Sequence, residues 1–190
     1  MTSVQDNIIS RRSIYRFKES PVDISSLETA FEAARHAPCH KQTHPWNFYV
    51  LGKKTRISMI PEIERLAKDK AAKMGEDGVQ EGIQRAISKI LSPPVLIAVT
   101  SSVTPGDSFR EMEDYAATVC SVQNLVLSLW DQGIGSQWST GSITRSDFVY
   151  GVLGISPATE KIIGFVKAGY PAVIPQREKK AIDEIREYLP

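Results

Sequence analysis

An uncharged run of 16 residues, at positions 115–130, constrains the fold of this chain more than any other feature. Apolar side chains fall on every side of a helical wheel over this run, which predicts a central helix that is buried on all sides. At 1.5 Å per residue such a helix is about 24 Å long, too short to cross a bilayer, so it belongs to the core or to a subunit interface. Gly133 and Gly135 end the helix, because glycine tolerates the left-handed backbone of helix ends. Residues 136–140 then form a short extended segment.

The length and composition of the chain favour a single domain over residues 1–190. The chain is 42% hydrophobic and 24% charged, which suits a globular protein with a substantial core. The 23 basic and 22 acidic residues give a net charge of +1, so no large basic field predicts binding to nucleic acid or to an anionic membrane. The N-terminus lacks an apolar signal segment, so we expect a cytoplasmic protein. Cys39 and Cys120 lie in unrelated contexts, which argues against a disulfide framework.

Local patterns predict an α+β fold with about four strands between helices. Aromatic, β-branched or continuously apolar residues indicate strands at 46–51, 95–100 and 162–171, in addition to the extended segment after the central helix. Further helices are predicted at 4–10, from 23 or 25 to about 34, and from 55 to about 74. After a break at residues 75–78, another helix extends to residue 91, and two more are predicted from 144 to about 153 and at 181–188.

Several of these helices have candidate caps in the sequence. Asp23 or Ser25 can begin the second helix, and Ser25 with Glu28 has the spacing of a capping box. Thr144 and Asp147 have the same spacing before a later helix, and Thr55 is the candidate cap of the long helix that follows the first strand. Residues 70–82 contain a glycine-rich break and are the best candidate for a mobile lid or an insertion.

Three arginines stand within six residues near the start of the chain, at positions 11, 12 and 16. A serine hydroxyl and a tyrosine ring lie between the second and third arginines, and Phe17 follows. Guanidinium groups bind phosphate or carboxylate oxygens in a fixed bidentate geometry, so this segment is a candidate anion site. Short basic clusters are also common on protein surfaces, and a solvated basic turn is the alternative interpretation.

The three histidines of the chain, His36, His40 and His44, lie with Cys39 in a stretch of nine residues. Such a cluster suggests the hypothesis of a zinc site. Against it, Pro38 breaks the helical spacing between the first two histidines, only one thiolate is present, and no second cluster completes four ligands. We therefore predict a polar loop that leads into a strand, with no metal site, and zinc binding is the alternative.

The sequence lacks the HExxH, GxSxG, P-loop and GxGxxG motifs, so a bound cofactor is a better source of chemistry than side chains alone. Five weaker motifs occur along the chain. They are Arg11-Arg12-Ser13, Ala37-Pro38 with Pro45-Trp46, Gln123-Asn124-Leu125, Gly133-Ile134-Gly135-Ser136 with Trp138 and Gly141, and Gly164-Phe165 with Gly169-Tyr170-Pro171. This is the order found in the nitroreductase family of FMN-dependent oxidoreductases, and the chain resembles that family from about residue 8 to 185.

What the resemblance implies is an interlocked homodimer of nitroreductase-like subunits with two FMN molecules at the interface. The flavin would take hydride from NADH or NADPH and pass electrons to a small-molecule acceptor in a ping-pong cycle, with no side chain as catalytic residue. Nitroaromatics, quinones, enones and free flavin all fit such a site. The alternative is a flavin-binding or sensor protein without catalytic activity.

The resemblance also implies which residues contact the cofactor. Arg11, Arg12 and Ser13 match the segment that meets the flavin phosphate, ribityl chain and pyrimidine edge, and Arg177 with Lys179 matches the basic tail that reaches the phosphate. A loop after the first long helix contacts the flavin of the partner subunit, and a segment after the central helix lines the ring. In this sequence the loop residues are Pro38, Cys39 and His40, and the segment is Trp138, Ser139 and Thr140.

The sequence departs from the family pattern at two places. Gln42 and His44 stand where many members have contacting Asn and Gln side chains, and here the chain resembles a compact subgroup with Ala-Pro-x-His-Lys before Pro-Trp. Tyr15 stands where a second basic residue often follows the Arg-Arg-Ser start. Arg16 is then the candidate for stabilising negative charge at the N1/O2 edge of the flavin.

Overall fold

The computed structural model describes residues 3–74 and 78–190, in which four strands form an antiparallel sheet with helices on both faces. The strands are β1 (Trp46–Val50), β2 (Val95–Ser102), β3 (Gly135–Ser139) and β4 (Glu160–Gly169). Their order across the sheet is β1-β2-β4-β3, and every pairing is antiparallel. The predicted α+β class and its four strands are confirmed.

Seven α-helices accompany the sheet in the described ranges. They are α1 (Val4–Ser10), α2 (Ile24–Arg35), α3 (Lys53–Ser58), α4 (Ile60–Met74), α5 (Val79–Leu91), α6 (Ser108–Asp131) and α7 (Asp147–Leu153). Helices α4 and α5 pack as a hairpin that includes residues 70–82, the candidate lid or insertion. Residues 75–77 of this segment lie outside the described residues. None of the described helices has both the length and the apolar composition needed to span a membrane.

The two central strands are covered on both faces, as their continuous apolar sequences predict. Ile97 and Val99 of β2 pack with α2 and α6 on one face, whereas Leu96 and Ala98 pack with α4, α5 and α7 on the other. All four side chains are fully buried. The alternation follows from the two-residue period of a strand, which points successive side chains to opposite faces.

Helix α6 has 24 residues and is about 36 Å long, longer than its uncharged part, because charged residues occupy its first two turns. One side packs against α2, where Ser121 Oγ donates to Ala34 O at 2.8 Å. The other side is exposed in the single subunit, at Ala116, Cys120 and Gln123. Burial on all sides, which the helical wheel predicts, is therefore wrong for one subunit taken alone.

One predicted helix start is confirmed in part and another is wrong. Asp23, one of the two predicted starts, is the N-cap residue of α2, so Ser25 lies inside the helix and the capping box with Glu28 does not form. Thr55 lies inside α3, and the helix predicted from it is divided into α3 and α4. Pro61 explains the division, because proline lacks a backbone N–H and is tolerated in the first turn of a helix but not in its interior.

Two predictions in the C-terminal third are also wrong. The Thr144 hydroxyl donates to Gly141 O at 2.8 Å instead of capping α7, which Ser146 precedes, so the capping box with Asp147 does not form. Of the helix predicted at 181–188, only a 3₁₀ turn at Ile182–Glu184 is present. These residues are exposed, so no packed face stabilises a helix that is too short to form on its own.

Gly133 and Gly135 have different roles after α6. Gly133 has a φ of 74° and forms the predicted left-handed turn. Gly135 lies in β3, and the expectation that it helps to end the helix is wrong. A Cβ atom at Gly135 would overlap Ile14 Cγ1 and approach Pro171 Cγ to 2.9 Å. Ile14 is fully buried, and its side chain can pack there because Gly135 has no side chain.

We predict that Gly135→Ala lowers the free energy of unfolding by about 1–3 kcal/mol, the usual cost of an overpacked core. Urea denaturation measures the change. Gly151→Ala is the matched control, because a Cβ at this position in α7 meets no atom within 4 Å. It should raise the unfolding free energy by up to about 1 kcal/mol, the helix propensity gained over glycine. Equal stability of Gly135→Ala and the parent would show that Ile14 can move aside.

Candidate functional site

The main chain of the basic N-terminal segment is fixed to the end of the sheet. Ile14 N donates to Ser136 O of β3 at 2.9 Å, and Arg16 O accepts a hydrogen bond from Ala172 N at 3.0 Å. The segment is thus held between β3 and the residues that follow β4. With the Ile14 side chain buried, its neighbours on both sides project toward the surface.

A small cavity of about 100 Å³ lies beside this segment and brings together residues from the two ends of the chain. We call it the basic cavity, because four of its seven lining residues are cationic. Of the residues predicted to contact a cofactor, six line it. The lining consists of Arg11, Arg12, Ser13, Tyr15, Pro175, Arg177 and Lys179.

The electrostatics of the basic cavity favour an anion. Burial, followed by repulsion from Arg12, lowers the pKa of Arg11. Arg12 Nη1 donates to Ile9 O at 2.6 Å and to Arg11 O at 3.0 Å, so main-chain carbonyls orient its guanidinium group. Within the described ranges, none of the four cations of this cavity forms an ion pair with an acidic side chain. A bound anion would supply the missing countercharge.

A larger cleft of about 900 Å³ lies between the α4–α5 hairpin and the β3–β4 edge of the sheet, and we call it the large cleft. Tyr15 lines both cavities, so the basic cavity and the large cleft adjoin. Ser139 and Thr140, two of the predicted residues, line the large cleft. Ser139 Oγ donates to Phe165 O at 3.2 Å, which fixes its hydroxyl against β4.

Trp138 lies on the opposite face of β3 from its neighbours on the cleft. Its ring packs against the core formed by α2 and α6, since strand residues alternate between faces. Its indole nitrogen is buried beside Gly164, where a Cβ would overlap the indole ring. This N–H has no hydrogen-bond acceptor in the part of the chain that the structure describes. Trp138 lines neither of the two cavities, so its predicted contact with a cofactor is not formed by one subunit alone.

The predicted loop after α2 has an unusual backbone. Lys41, Gln42 and His44 have φ angles of 52°, 52° and 44°, in the left-handed region that side chains with a Cβ disfavour. His40 Nδ1 lies 2.6 Å from Glu113 Oε1 of α6, which fixes the loop from one side. Strain of this kind persists only where the surrounding structure holds it.

A buried ion pair anchors the same loop. Arg110 Nε lies 3.2 Å from Asp114 Oδ2, and both side chains are largely buried, with 13% and 4% of their surfaces exposed. Thr43 Oγ1 donates to the other carboxylate oxygen of Asp114 at 2.7 Å, and Arg110 Nη2 donates to His40 O at 3.3 Å. The loop is therefore joined to the start of α6 by charge-assisted hydrogen bonds.

The structure does not bring the loop and the basic cavity together within one subunit. The loop contacts the start of α6 at Glu113, whereas α1, which leads into the basic cavity, contacts its end, where Asn7 Nδ2 donates to Leu127 O at 3.1 Å. Fourteen residues of helix separate these two contacts, a distance of about 21 Å. Pro38, Cys39, His40 and Gln42 thus form one group of predicted residues, and those of the two cavities form another.

The three histidines and Cys39, which were considered as zinc ligands, are spread along this loop. Cys39 Sγ lies 3.9 Å from His44 Nδ1, while His36 Nε2 points to Glu32 Oε1 at 3.0 Å. Among the described residues, no three His, Cys, Asp or Glu side chains are close enough to hold a metal ion. Each histidine of the segment instead has its own neighbour in the loop or on a helix.

Several residues that line the large cleft were not predicted from the sequence. Lys167 is the most informative, since it is a charged residue inside the apolar strand β4, and that interruption is a visible signal. Gln137 faces the cleft from β3 because it lies two residues before Ser139. The basic residues that line the cleft from α4 and α5 could not be recognised in the sequence, because these helices have the mixed charges of any solvent-exposed helix.

Comparison with known proteins places this geometry in context. The model of the nitroreductase family matches residues 8–170. The Bacillus subtilis protein named "Putative NAD(P)H nitroreductase YfhC" is 30% identical over 178 residues, which are 93% of this chain and 89% of that protein. A crystal structure of a nitroreductase-like family protein from Bacillus cereus is similar with a TM-score of 0.83 at 26% identity, covering 100% of this chain and 97% of the other. A Desulfovibrio desulfuricans structure, described as a "putative nitroreductase in complex with FMN", has a TM-score of 0.75 at 21% identity and covers 100% and 99% of the two chains.

We predict that Arg110→Met lowers the free energy of unfolding by about 3–5 kcal/mol, because it leaves the Asp114 carboxylate buried without its cation. Hydrogen exchange in residues 38–44 should accelerate at the same time. The double variant Arg110→Met/Asp114→Asn removes both charges and should regain most of the lost stability in urea denaturation. A double variant no more stable than the single one would contradict the role of this ion pair.

Proposed function

The chain belongs to the nitroreductase family, and on that premise we propose that it is an FMN-dependent oxidoreductase that takes hydride from NADH or NADPH. The observation that carries the proposal is a cavity with four cations beside a cleft large enough for a flavin ring. The FMN of the Desulfovibrio relative and the NAD(P)H in the name of the Bacillus subtilis relative support it. The second substrate is a small acceptor of the nitroaromatic, quinone, enone or flavin type.

The basic cavity fits the phosphate group of FMN. Arg11, Arg12, Arg177 and Lys179 supply the positive charge that a phosphate dianion requires, and Ser13 adds a hydroxyl donor. Burial and then the charge of Arg12 lower the pKa of Arg11, and no carboxylate is among the described residues that line the cavity, so a phosphate would supply the missing countercharge. A phosphate in this position would relieve the repulsion between Arg11 and Arg12.

The large cleft fits the ring system. Tyr15 stands at the junction of the two cavities, where the ribityl chain would pass, and Ser139 and Thr140 offer hydroxyl groups from the end of β3. When bound, FMN supplies hydride transfer at its N5 position. The chain's own residues bind and orient the cofactor and leave the cleft open, and we assign no catalytic side chain.

An open cleft of this kind suits a ping-pong cycle. The nicotinamide and the acceptor would occupy the same space in turn, so the chain needs no separate nucleotide-binding domain. The α4–α5 hairpin forms the outer wall of the cleft and defines the room available to both substrates.

We further propose that the active protein is a homodimer whose sites are built from both subunits. The predicted contacts of the loop after α2 and those of the basic cavity lie at opposite ends of α6. A two-fold partner that packs along α6 in the antiparallel direction would bring the loop of one subunit to the cavity of the other. The exposed side of α6 supports this arrangement, as do exposed apolar side chains at its start and on α1. These are Phe109, Met112, Tyr115, Ile8 and Ile9.

We expect the purified protein to be yellow and to release FMN on denaturation. Chromatography identifies the released flavin, and anaerobic addition of NADH or NADPH should bleach its absorbance. FAD, or no flavin at all, would contradict the cofactor assignment. Flavin that stays oxidised with both nucleotides would instead indicate a flavin-binding protein without this activity.

Complementation tests the shared site. Arg12→Ala and His40→Ala should each weaken FMN binding, by about 10- to 100-fold where a charge-assisted phosphate contact is lost. Coexpression of the two variants with different tags gives heterodimers with one intact site and one doubly damaged site. Titration of the purified heterodimer should then recover tight binding of one FMN per dimer. Two weak sites, or a monomer that binds FMN with full affinity, would refute this architecture.

A further inference from the structure

Lys167 is a buried cation on the floor of the large cleft. It lies within β4, between Val166 and Ala168, and only 6% of its surface is exposed. Its Nζ atom donates to Gln137 Oε1 of β3 at 3.3 Å. That neutral amide is a weak partner for an ammonium group, which keeps two further protons to donate.

The other charged residues of the cleft have the same sign. Arg16, Lys70, Arg85 and Lys89 line it along with Lys167, and they lie on its exposed rim. No aspartate or glutamate is among the described residues that line it. The chain as a whole is nearly balanced, with 23 basic and 22 acidic residues, whereas the described lining of the cleft carries one sign of charge.

One acidic residue near this region, Glu62, is engaged with other side chains. Glu62 of α4 is buried, and Arg65 donates to both of its carboxylate oxygens at 2.7 Å. The Ser146 hydroxyl donates to Glu62 Oε1 at 2.6 Å. Within the described ranges, Lys167 forms no ion pair. Burial, and then the positive charge of Lys89, lowers the pKa of Lys167, so the site stabilises the ammonium form poorly on its own. A buried cation without a counterion is costly unless a ligand supplies one.

We propose that the floor of the large cleft binds the negatively charged group of a small-molecule ligand, and that Lys167 determines this specificity. The ligand class is an anion with a carboxylate or phosphate group. The inference rests on the proposed function only in taking the ligand to be a substrate of the enzyme. The FMN phosphate is assigned to the basic cavity, which Lys167 does not line, so this is a second anion site.

Two substrates can supply such a group, namely the acceptor and the nicotinamide nucleotide, so the experiment has an arm for each. The acceptor arm compares binding of 4-nitrobenzoate with that of 4-nitrobenzamide, which has nearly the same shape but no charge. The nucleotide arm compares NADH with NADPH, which carries an additional phosphate group. Calorimetric titration of the oxidised holoprotein measures the first arm, and the rate of anaerobic flavin reduction against nucleotide concentration measures the second.

We expect the protein to bind the anion of at least one pair about 10-fold or more tightly than its less charged counterpart. Lys167→Met keeps the length of the side chain and removes its charge, and should weaken binding of the preferred anion by about 10- to 100-fold, the effect of a lost charge-assisted hydrogen bond. Binding of the neutral amide should change by less than about 2-fold. Lys161→Met is the control, because Lys161 is an exposed lysine of the same strand outside the cleft.

Equal affinity within both pairs would overturn the inference. So would a Lys167→Met variant that shifts the reduction potential of the flavin and keeps the discrimination, since Lys167 would then act on the cofactor. If Lys167→Met fails to fold, the double variant Arg85→Met/Lys89→Met on the exposed face of α5 is used instead. It should weaken anion binding and reduce the dependence of that binding on ionic strength. No change in either quantity would count against the proposal. Binding of 4-nitrobenzoate is measured without turnover, so this test does not depend on the proposed activity. A protein that prefers 4-nitrobenzoate to 4-nitrobenzamide but whose flavin NAD(P)H does not reduce would support the anion site and contradict the proposed function.

Discussion

The contact between Ile14 and Gly135 determines where the candidate cofactor site can form. The isoleucine is fully buried over a glycine that has no room for a Cβ atom, and its N–H bonds to the neighbouring residue of β3. That one interaction fixes the segment on which Arg12, Ser13 and Tyr15 are carried, with side chains directed into two adjoining cavities. The cationic end of the chain then packs over the same segment. A hydrophobic contact thus positions a polar site, which is the usual way in which a rigid core preorganises groups that solvent would otherwise disperse.

The charges of the molecule are organised locally, and the net charge conceals this. Most ion pairs among the described residues join side chains one helical turn apart, as in the Glu32–Arg35 and Glu62–Arg65 pairs. Both cavities are left with cations and no carboxylate in their described linings. Exposed ion pairs contribute little to stability, whereas cations that line a cavity without a carboxylate would favour the binding of an anion. A chain with a net charge of +1 can therefore contain two basic sites.

Much of this fold could be predicted from the sequence, and the failures have identifiable physical causes. The strands were predictable because their burial requires apolar runs or alternation, and the basic motif was visible as three arginines. The capping boxes were not predictable. The spacing of Thr144 and Asp147 is necessary for a capping box, but tertiary contacts decide which hydroxyl caps the helix. The two-residue period of a strand places Trp138 and Ser139 on opposite faces of β3, but it could not show which of the two faces meets the cleft. The basic cavity joins residues 11–13 to 175–179, and local sequence contains no record of that proximity.

Helix α6 is where the sequence and the single subunit disagree most, and the disagreement has a physical explanation in the proposed dimer. The helical wheel is apolar on all sides, yet the subunit covers only the side that faces α2 and the sheet. Leaving the other side in water would forgo its hydrophobic stabilisation, about 25 cal/mol for each Å² of apolar surface. The strained loop lies at one end of the helix and the basic cavity at the other. Each contains only part of the residues that are predicted to contact the cofactor. A two-fold arrangement along α6 would cover the exposed side and complete both sets at once, so the uncharged run that most constrains the fold also constrains where the site can lie.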